Sequence, residues 1–413
     1  MYKKQRQGIL QNLQERRANL SILDQALETH YIVPADNLGL IEKAVGRGCS
    51  QALELLARYD ISASELADVL GVDVVLVVSI VESNPHADLI LIDGEDATSL
   101  REESILASRK NIVSTFQART NYASRIYFRP SGLELPYCID DIVGSLTATG
   151  LDGQGHFPID GMVYPKAESP EEMAFVGQIL SDAEKKIGLE ENSVKLQFLI
   201  ESSQAVERLY EIAGAVKDRL SGIIFGMADY AADVGVEALD EDHPLFQYAR
   251  MRIVNVAAAL GVPSVDCMSF RYPVADKKLD IPGNKKLILG KMREVYDITL
   301  NSIRLGMKGK WVGHPLQLLA AKVAYETYFS RQRLEEHLEK LELYSGSTAG
   351  ASIIHNDMAD RATDRNVRSF LRRAVLKKKL EPERALQLGL IDQAELDLLN
   401  LRGRRDSNPR LPA

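Results

Sequence analysis

Cysteine, positive charge and long hydrophobic runs are all scarce in this chain. Its 413 residues contain three cysteines, Cys49, Cys138 and Cys267. They are odd in number and far apart, which argues against a disulfide framework and against a thiolate metal cluster. Lys and Arg number 50 against 58 Asp and Glu, a net charge of −8. A general nucleic-acid binder needs a basic excess to displace counterions from phosphates, so that class is set aside. The longest apolar run, Val72 to Val81, is broken by Asp73 and Ser79 and is too short to span a bilayer. The basic start, Met1-Tyr2-Lys3-Lys4-Gln5-Arg6, is not followed by the apolar core of a signal peptide. The expectation is a cytoplasmic protein with no membrane and no nucleic-acid partner.

Several chemical signatures are missing as well. None of the seven histidines forms a His-x-x-x-His pair, so a zinc site has little support. No glycine-rich phosphate loop or dinucleotide fingerprint occurs. Ser202-Ser203 lacks the Gly-x-Ser-x-Gly surroundings of a nucleophile elbow.

What is present is an ordinary globular balance and a regular alternation. Eight short apolar runs stand out: Tyr31-Ile32-Val33, Leu89–Ile92, Arg125–Phe128, Gly161–Tyr164, Leu196–Ile200, Gly222–Phe225, Pro263–Asp266 and Lys310-Trp311-Val312. Near-continuous apolar runs suit strands buried on both faces of a parallel sheet. Helical patterns such as Ser203–Val216 and Tyr248–Leu260 lie between them. Eight βα units predict a (β/α)8 barrel, a TIM barrel, with a doubly wound sheet as the alternative. The expected organisation is an N-terminal helical arm (1–28), the barrel (29–329), a C-terminal helical lid (330–401) and a disordered tail (402–413). Within the barrel, 46–88 reads as a packed insertion. Ser62–Val72 resembles the first half of a helix-turn-helix, but the run after it carries no Lys or Arg for a DNA-reading helix.

Polar residues cluster directly after the apolar runs. In a barrel those positions share the rim where catalytic groups sit. Glu201 follows Leu199-Ile200, and Asp229 follows Phe225-Gly226-Met227-Ala228. Adjacent strands run about 4.8 Å apart, so carboxylates at neighbouring tips can share a divalent ion. Hard oxygen donors suit Mg²⁺, with Mn²⁺ as a substitute. Helix capping is the competing reading, because each residue precedes a helix.

The ordered set of motifs resembles the HpcH/HpaI aldolase and citrate lyase β-subunit family, in particular its malyl-CoA and citramalyl-CoA lyase branch. The matching residues are Val33-Pro34-Ala35-Asp36-Asn37, Asp93-Gly94-Glu95-Asp96-Ala97, Arg129-Pro130-Ser131-Gly132 and Pro165-Lys166. They continue with Ile200-Glu201-Ser202, Gly226-Met227-Ala228-Asp229-Tyr230 and Gly309-Lys310-Trp311-Val312-Gly313-His314-Pro315-Leu316-Gln317. The chain departs from the family in having Glu28-Thr29-His30 where Arg-Ser usually precedes the first strand, and Pro-Ser after Arg129.

The resemblance implies a Mg²⁺-dependent carbon–carbon lyase. It would form or cleave a 3-hydroxyacyl-CoA from an acyl-CoA and a 2-oxo acid such as glyoxylate or pyruvate. Glu201 and Asp229 would ligate the metal. Arg129 would grip the oxo-acid carboxylate. Glu95 and Asp96 would hold metal-bound waters or orient Arg129. Pro165, Lys166, His314 and Pro315 would contact substrate. Asp360, in Met358-Ala359-Asp360, would supply the acid of a lid from a neighbouring subunit, in a homo-trimer or homo-hexamer. A metal-dependent oxo-acid aldolase without CoA, and a non-enzymatic ligand-binding barrel, are the alternatives.

Overall fold

The computed structural model describes residues 5–7, 10, 20–99, 101–119, 123–153, 155–346, 351–354 and 357–407. The chain divides into two compact units, Met1–Leu20 with Leu27–Val323, and Ser21–Ala26 with Ala324–Ala413.

The first unit is a closed barrel of eight parallel strands in chain order. They are β1 Thr29–Pro34, β2 Leu89–Asp93, β3 Arg125–Arg129, β4 Gly161–Tyr164, β5 Lys195–Ile200, β6 Leu220–Phe225, β7 Ser264–Asp266 and β8 Gly309–Val312. Pairing of β1 with both β2 and β8 closes the sheet, so the doubly wound alternative does not apply.

Strand periodicity divides the side chains between two cores. Leu89, Leu91, Tyr127, Val163, Leu199, Ile224, Val265 and Trp311 pack together inside the barrel. Ile90, Ile92, Ile126, Phe128, Met162, Phe198, Ile200 and Phe225 pack outward with residues of the surrounding helices. Continuing the inward set by two residues takes Leu91 to Asp93, Tyr127 to Arg129 and Leu199 to Glu201. The barrel rim therefore becomes charged at the point where the inward apolar layers end.

Local chemistry sets the helix boundaries. Ser169 accepts from Glu172 N to cap the helix Pro170–Ile187, whose first residue is proline, and Gly188 closes it in the left-handed region. Ser202 accepts from Ala205 N to cap Ser203–Ala215. Capping there belongs to Ser202, not to Glu201.

The segment 46–88 folds as helices Ser50–Arg58, Ala63–Leu70 and Val74–Ser83. Ser62 and Glu65 form a capping box, Gly71 ends that helix in the left-handed region, and Asp73 caps the next. The β-branched run is thus helical, because a capped start and packing override its strand propensity. The Arg293 guanidinium donates to Val69 O at 2.9 Å, and Lys285 pairs with Glu65 at 2.5 Å.

The second unit has its own core around Phe329, Leu341, Phe370, Leu371, Ala374 and Leu396. A two-stranded antiparallel sheet pairs β9 Ala351–Ile354 with β10 Asp357–Asp360. The last helix runs Gln393–Ser407, so the tail boundary expected at 402 falls inside a helix. Most of the expected N-terminal arm and residues 347–350 and 408–413 lie outside the described residues. Among the described residues no helix is long and apolar enough to cross a membrane.

Candidate active site

A cavity of about 510 Å³ opens at the C-terminal rim of the barrel. Asp93, Asp96, Arg129, Glu201 and Asp229 line one part of it. Ile32, Met227, Met268, Phe270, Tyr272 and Trp311 line another.

Oxygens of Asp96, Glu201 and Asp229 lie within 4.8 Å of one another. Glu201 is buried, and Gly226 makes room for it, since a Cβ at 226 would overlap the Glu201 side chain. Burial, with Asp229, Glu95 and Asp96 as like-charged neighbours and against the pull of Arg129, pushes the Glu201 carboxyl up to about 8. Burial and Asp96 raise Asp229 as well, against Lys166 and Arg129. Glu201 and Asp229, crowded together, thus resist ionising. A hard divalent cation would relieve that repulsion, and an all-oxygen donor set with room for water suits Mg²⁺. Sequence reasoning gave Asp96 a supporting role; the structure places its carboxylate beside those of Glu201 and Asp229.

Arg129 is fully buried and already heavily engaged. Its Nε donates to Asp93 Oδ1 at 2.5 Å and its Nη2 to Asp93 Oδ2 at 2.7 Å. Nη1 stands 3.0 Å from Glu95 and 3.4 Å from Asp96. Burial opposes the guanidinium charge, but Asp93, Glu95 and Asp96 outweigh it and hold the proton firmly. The side-on face of the fork is thus spent on Asp93. Another carboxylate could meet only the end-on face, beside Glu95 and Asp96.

Asp93 is a site residue that sequence reasoning missed. It is buried, pairs with Arg129 in register across β2 and β3, and accepts from the backbone N–H of Glu95 and Ala97, each at 3.0 Å. The signal was available: counting by two from Leu89 and Leu91 aims Asp93 inward.

Lys166 takes the left-handed region with φ 47°, unusual for a residue with a Cβ. From there its N–H donates to Glu201 Oε2 at 2.9 Å and its ammonium to Glu95 Oε1 at 2.6 Å. Burial, opposed by Arg129 and Lys166, pushes Glu95 up to about 7.

Glu95 and Lys166 join the site through Arg129 and Glu201 without lining the cavity, and Pro165, His314 and Pro315 do not line it either. His314 follows β8, and its Nδ1 accepts from Leu316 N at 3.2 Å; burial lowers its pKa to about 4. Asp360 lies in the second unit, where it caps Arg361–Leu376 by accepting from Ala362 N and Thr363 N, both at 2.9 Å.

Comparison with known proteins gives the following. The family model described as HpcH/HpaI aldolase/citrate lyase matches residues 79–279. An L-malyl-CoA/beta-methylmalyl-CoA lyase of Haloarcula marismortui is 25% identical over 215 residues, covering 50% of this chain and 58% of that protein. A citrate lyase subunit beta of Leuconostoc mesenteroides subsp. cremoris is 31% identical over 180 residues, covering 44% and 55%. The chain thus spans just over half the length of these two relatives. In fold it resembles the CitE protein of Mycobacterium tuberculosis, solved in complex with magnesium, acetoacetate and coenzyme A. The TM-score is 0.55 at 17% identity, covering 85% of this chain and 98% of that one.

Proposed function

Residues 79–279 match the HpcH/HpaI aldolase/citrate lyase family model, and from that likeness we propose that the chain is a Mg²⁺-dependent carbon–carbon lyase. Its substrate would be a 3-hydroxyacyl-CoA of the malyl-CoA or citramalyl-CoA type, cleaved to an acyl-CoA and a 2-oxo acid, or formed from them. The observation that carries this reading is the group of Asp96, Glu201 and Asp229 beside a buried Arg129. The name of one relative, an L-malyl-CoA/beta-methylmalyl-CoA lyase, supports the thioester.

Asp96, Glu201 and Asp229 would hold the cation, which when bound polarises a carbonyl as a Lewis acid. Arg129 would meet the oxo-acid carboxylate through its end-on face, kept in one orientation by Asp93. Lys166 would hold Glu95 away from the cation-binding oxygens and fix Glu201 through its own N–H. In the cleavage direction the C2–C3 bond breaks and its electron pair moves to the thioester α-carbon and on to the thioester oxygen. The C3 hydroxyl gives its proton to a carboxylate of the rim and becomes the oxo-acid carbonyl. The enolate carbon takes up one proton, a role we give to Asp360 of a neighbouring subunit in a homo-oligomer.

A mass-spectrometric assay tests this. The purified protein with Mg²⁺ is expected to convert malyl-CoA or citramalyl-CoA to an acyl-CoA and glyoxylate or pyruvate. Turnover of the free hydroxy acid alone would favour the CoA-free aldolase, to which Glu28-Thr29-His30 in place of Arg-Ser also points. Turnover unaffected by EDTA would overturn the metal assignment.

A further inference from the structure

Bond cleavage of this kind leaves negative charge on a thioester oxygen, and an enzyme gains most by placing hydrogen-bond donors where that charge develops. Several donors of the rim are already spent. Arg129 gives its side-on face to Asp93 and stands its Nη1 between Glu95 and Asp96. The Gly313 N–H is taken by Gln317 Oε1 at 2.9 Å. The Lys166 ammonium is held by Glu95 and does not line the cavity.

Tyr272 is different. It lines the cavity, and its hydroxyl donates to the thioether sulfur of Met268 at 2.9 Å. A thioether is a weak acceptor, so this hydroxyl is easily drawn to a better one. The ring is held closely all the same. Gly313 leaves the space, since a Cβ there would overlap both Tyr272 Oη and Met268 Sδ. The His314 ring meets it edge-on at 6.3 Å between centroids. Gln317 clamps the loop that carries it, donating to Ser269 O at 2.9 Å and Arg271 O at 3.2 Å. A fixed ring with a loosely held proton is the arrangement of a preorganised donor. We propose that Tyr272 is a catalytic residue that donates a hydrogen bond to the thioester oxygen as that oxygen gains enolate charge. This rests on the lyase reading above. The phenol keeps its proton throughout; only the acceptor changes, from the Met268 sulfur to the substrate oxygen. Removing the hydroxyl should therefore slow every step that passes through the enolate.

Tyr272→Phe tests this, because it keeps the ring against Gly313 and His314. Two rates are read on wild type and variant: cleavage of the hydroxyacyl-CoA, and exchange of the acyl-CoA α-hydrogens with D₂O. Both are expected to fall about 100-fold, the loss typical of one removed oxyanion donor. KM for the thioester, Mg²⁺ affinity by calorimetry and the melting temperature are expected to stay at the wild-type values. Unchanged rates would overturn the inference. A loss of rate that comes with weakened Mg²⁺ binding or a lowered melting temperature would also overturn it, since Tyr272 would then be acting through structure. If wild type itself neither cleaves nor exchanges, the lyase reading fails first and takes this inference with it.

Discussion

Two of the buried charge clusters in the barrel unit are built on opposite principles. At the rim, Asp93, Glu95, Asp96, Glu201 and Asp229 share two cations, Arg129 and Lys166. On the outward side of β7 and β8, Glu241 and Asp266 face Arg250 and Lys310, two acids against two bases. Asp266 is fully buried, with Lys310 at 2.8 Å and Arg250 at 2.7 Å. Burial opposes its charge, but those two cations outweigh burial and hold its carboxyl well below the usual range. Glu201 is buried with a local excess of acid, and it moves the other way. Glu241, Asp266 and Cys267 also come close enough together to hold an ion. There, however, the charge is already matched, and burial pushes the Cys267 thiol up to about 12, which keeps it from acting as a thiolate. Closeness of ligand atoms is common to both clusters. Only the rim has negative charge left over for a cation.

The comparison breaks most visibly at Glu201. Glu201→Gln keeps the shape and removes one negative charge from the cation-binding group. Activity is expected to fall by at least about 1,000-fold, or about 4 kcal/mol of barrier. Mg²⁺ titration by calorimetry should show the affinity falling with it. Wild-type Mg²⁺ affinity in the variant would show that the rim is not the cation site.

Asp266→Asn should cost stability instead. It leaves Lys310 and Arg250 buried with a single acid, and breaking a buried pair typically costs about 3–5 kcal/mol. Denaturant unfolding should show that loss, while the KM of the folded fraction stays at the wild-type value. A stable variant with altered KM would move this cluster from scaffold to site.

The clusters should also respond to pH with opposite sign. Glu201 has a folded pKa near 8, above its unfolded value, so it stays protonated in the native state while the unfolded chain has released the proton. Its contribution to stability is complete below the ordinary carboxylate range and is lost as pH rises towards 8. The Asp266 contribution is complete above that range and is lost only in strong acid. Thermal melts of metal-free protein should therefore drop between about pH 5 and 8. Mg²⁺ should restore the melting temperature by an amount that grows with pH. Glu201→Gln should flatten the metal-free slope. A metal-free melting temperature that rises across that window would contradict the assignment.

The eight strands were legible because a parallel barrel buries both faces and so spells each strand as an apolar run. Glu201 and Asp229 stand out in the sequence because the one directly follows such a run and the other comes shortly after the next. Asp93 was hidden among neighbouring acids, Asp93-Gly94-Glu95-Asp96, and only the alternation from Leu91 separates it from them. Tyr272 could not be read at all. It lies on a loop after the three-residue strand β7, and its place depends on Gly313 and Gln317, which are more than 40 residues away in sequence. Val74–Ser83 misleads in the other direction, since its β-branched composition conceals a capped helix.

Asp360 is where the smallest stability effect separates two roles. As the cap of Arg361–Leu376, its side chain satisfies two backbone donors. Backbone hydrogen bonds from Thr363 and Ala362, against desolvation, hold its carboxyl below the ordinary value. Asparagine caps helices about as well as aspartate, whereas alanine forfeits the cap. Asp360→Asn should therefore keep the melting temperature, and Asp360→Ala should lower it slightly. If Asp360 delivers the proton to the enolate, both variants lose kcat alike, because neither holds an acid. If it only caps, Asp360→Asn stays fully active. Mixing Asp360→Asn with Glu201→Gln then asks which barrel the acid serves. Recovery of activity after subunit exchange, to roughly a quarter of wild type for random assembly, places it over a neighbour. A mixture that stays inactive despite demonstrated exchange removes the trans arrangement.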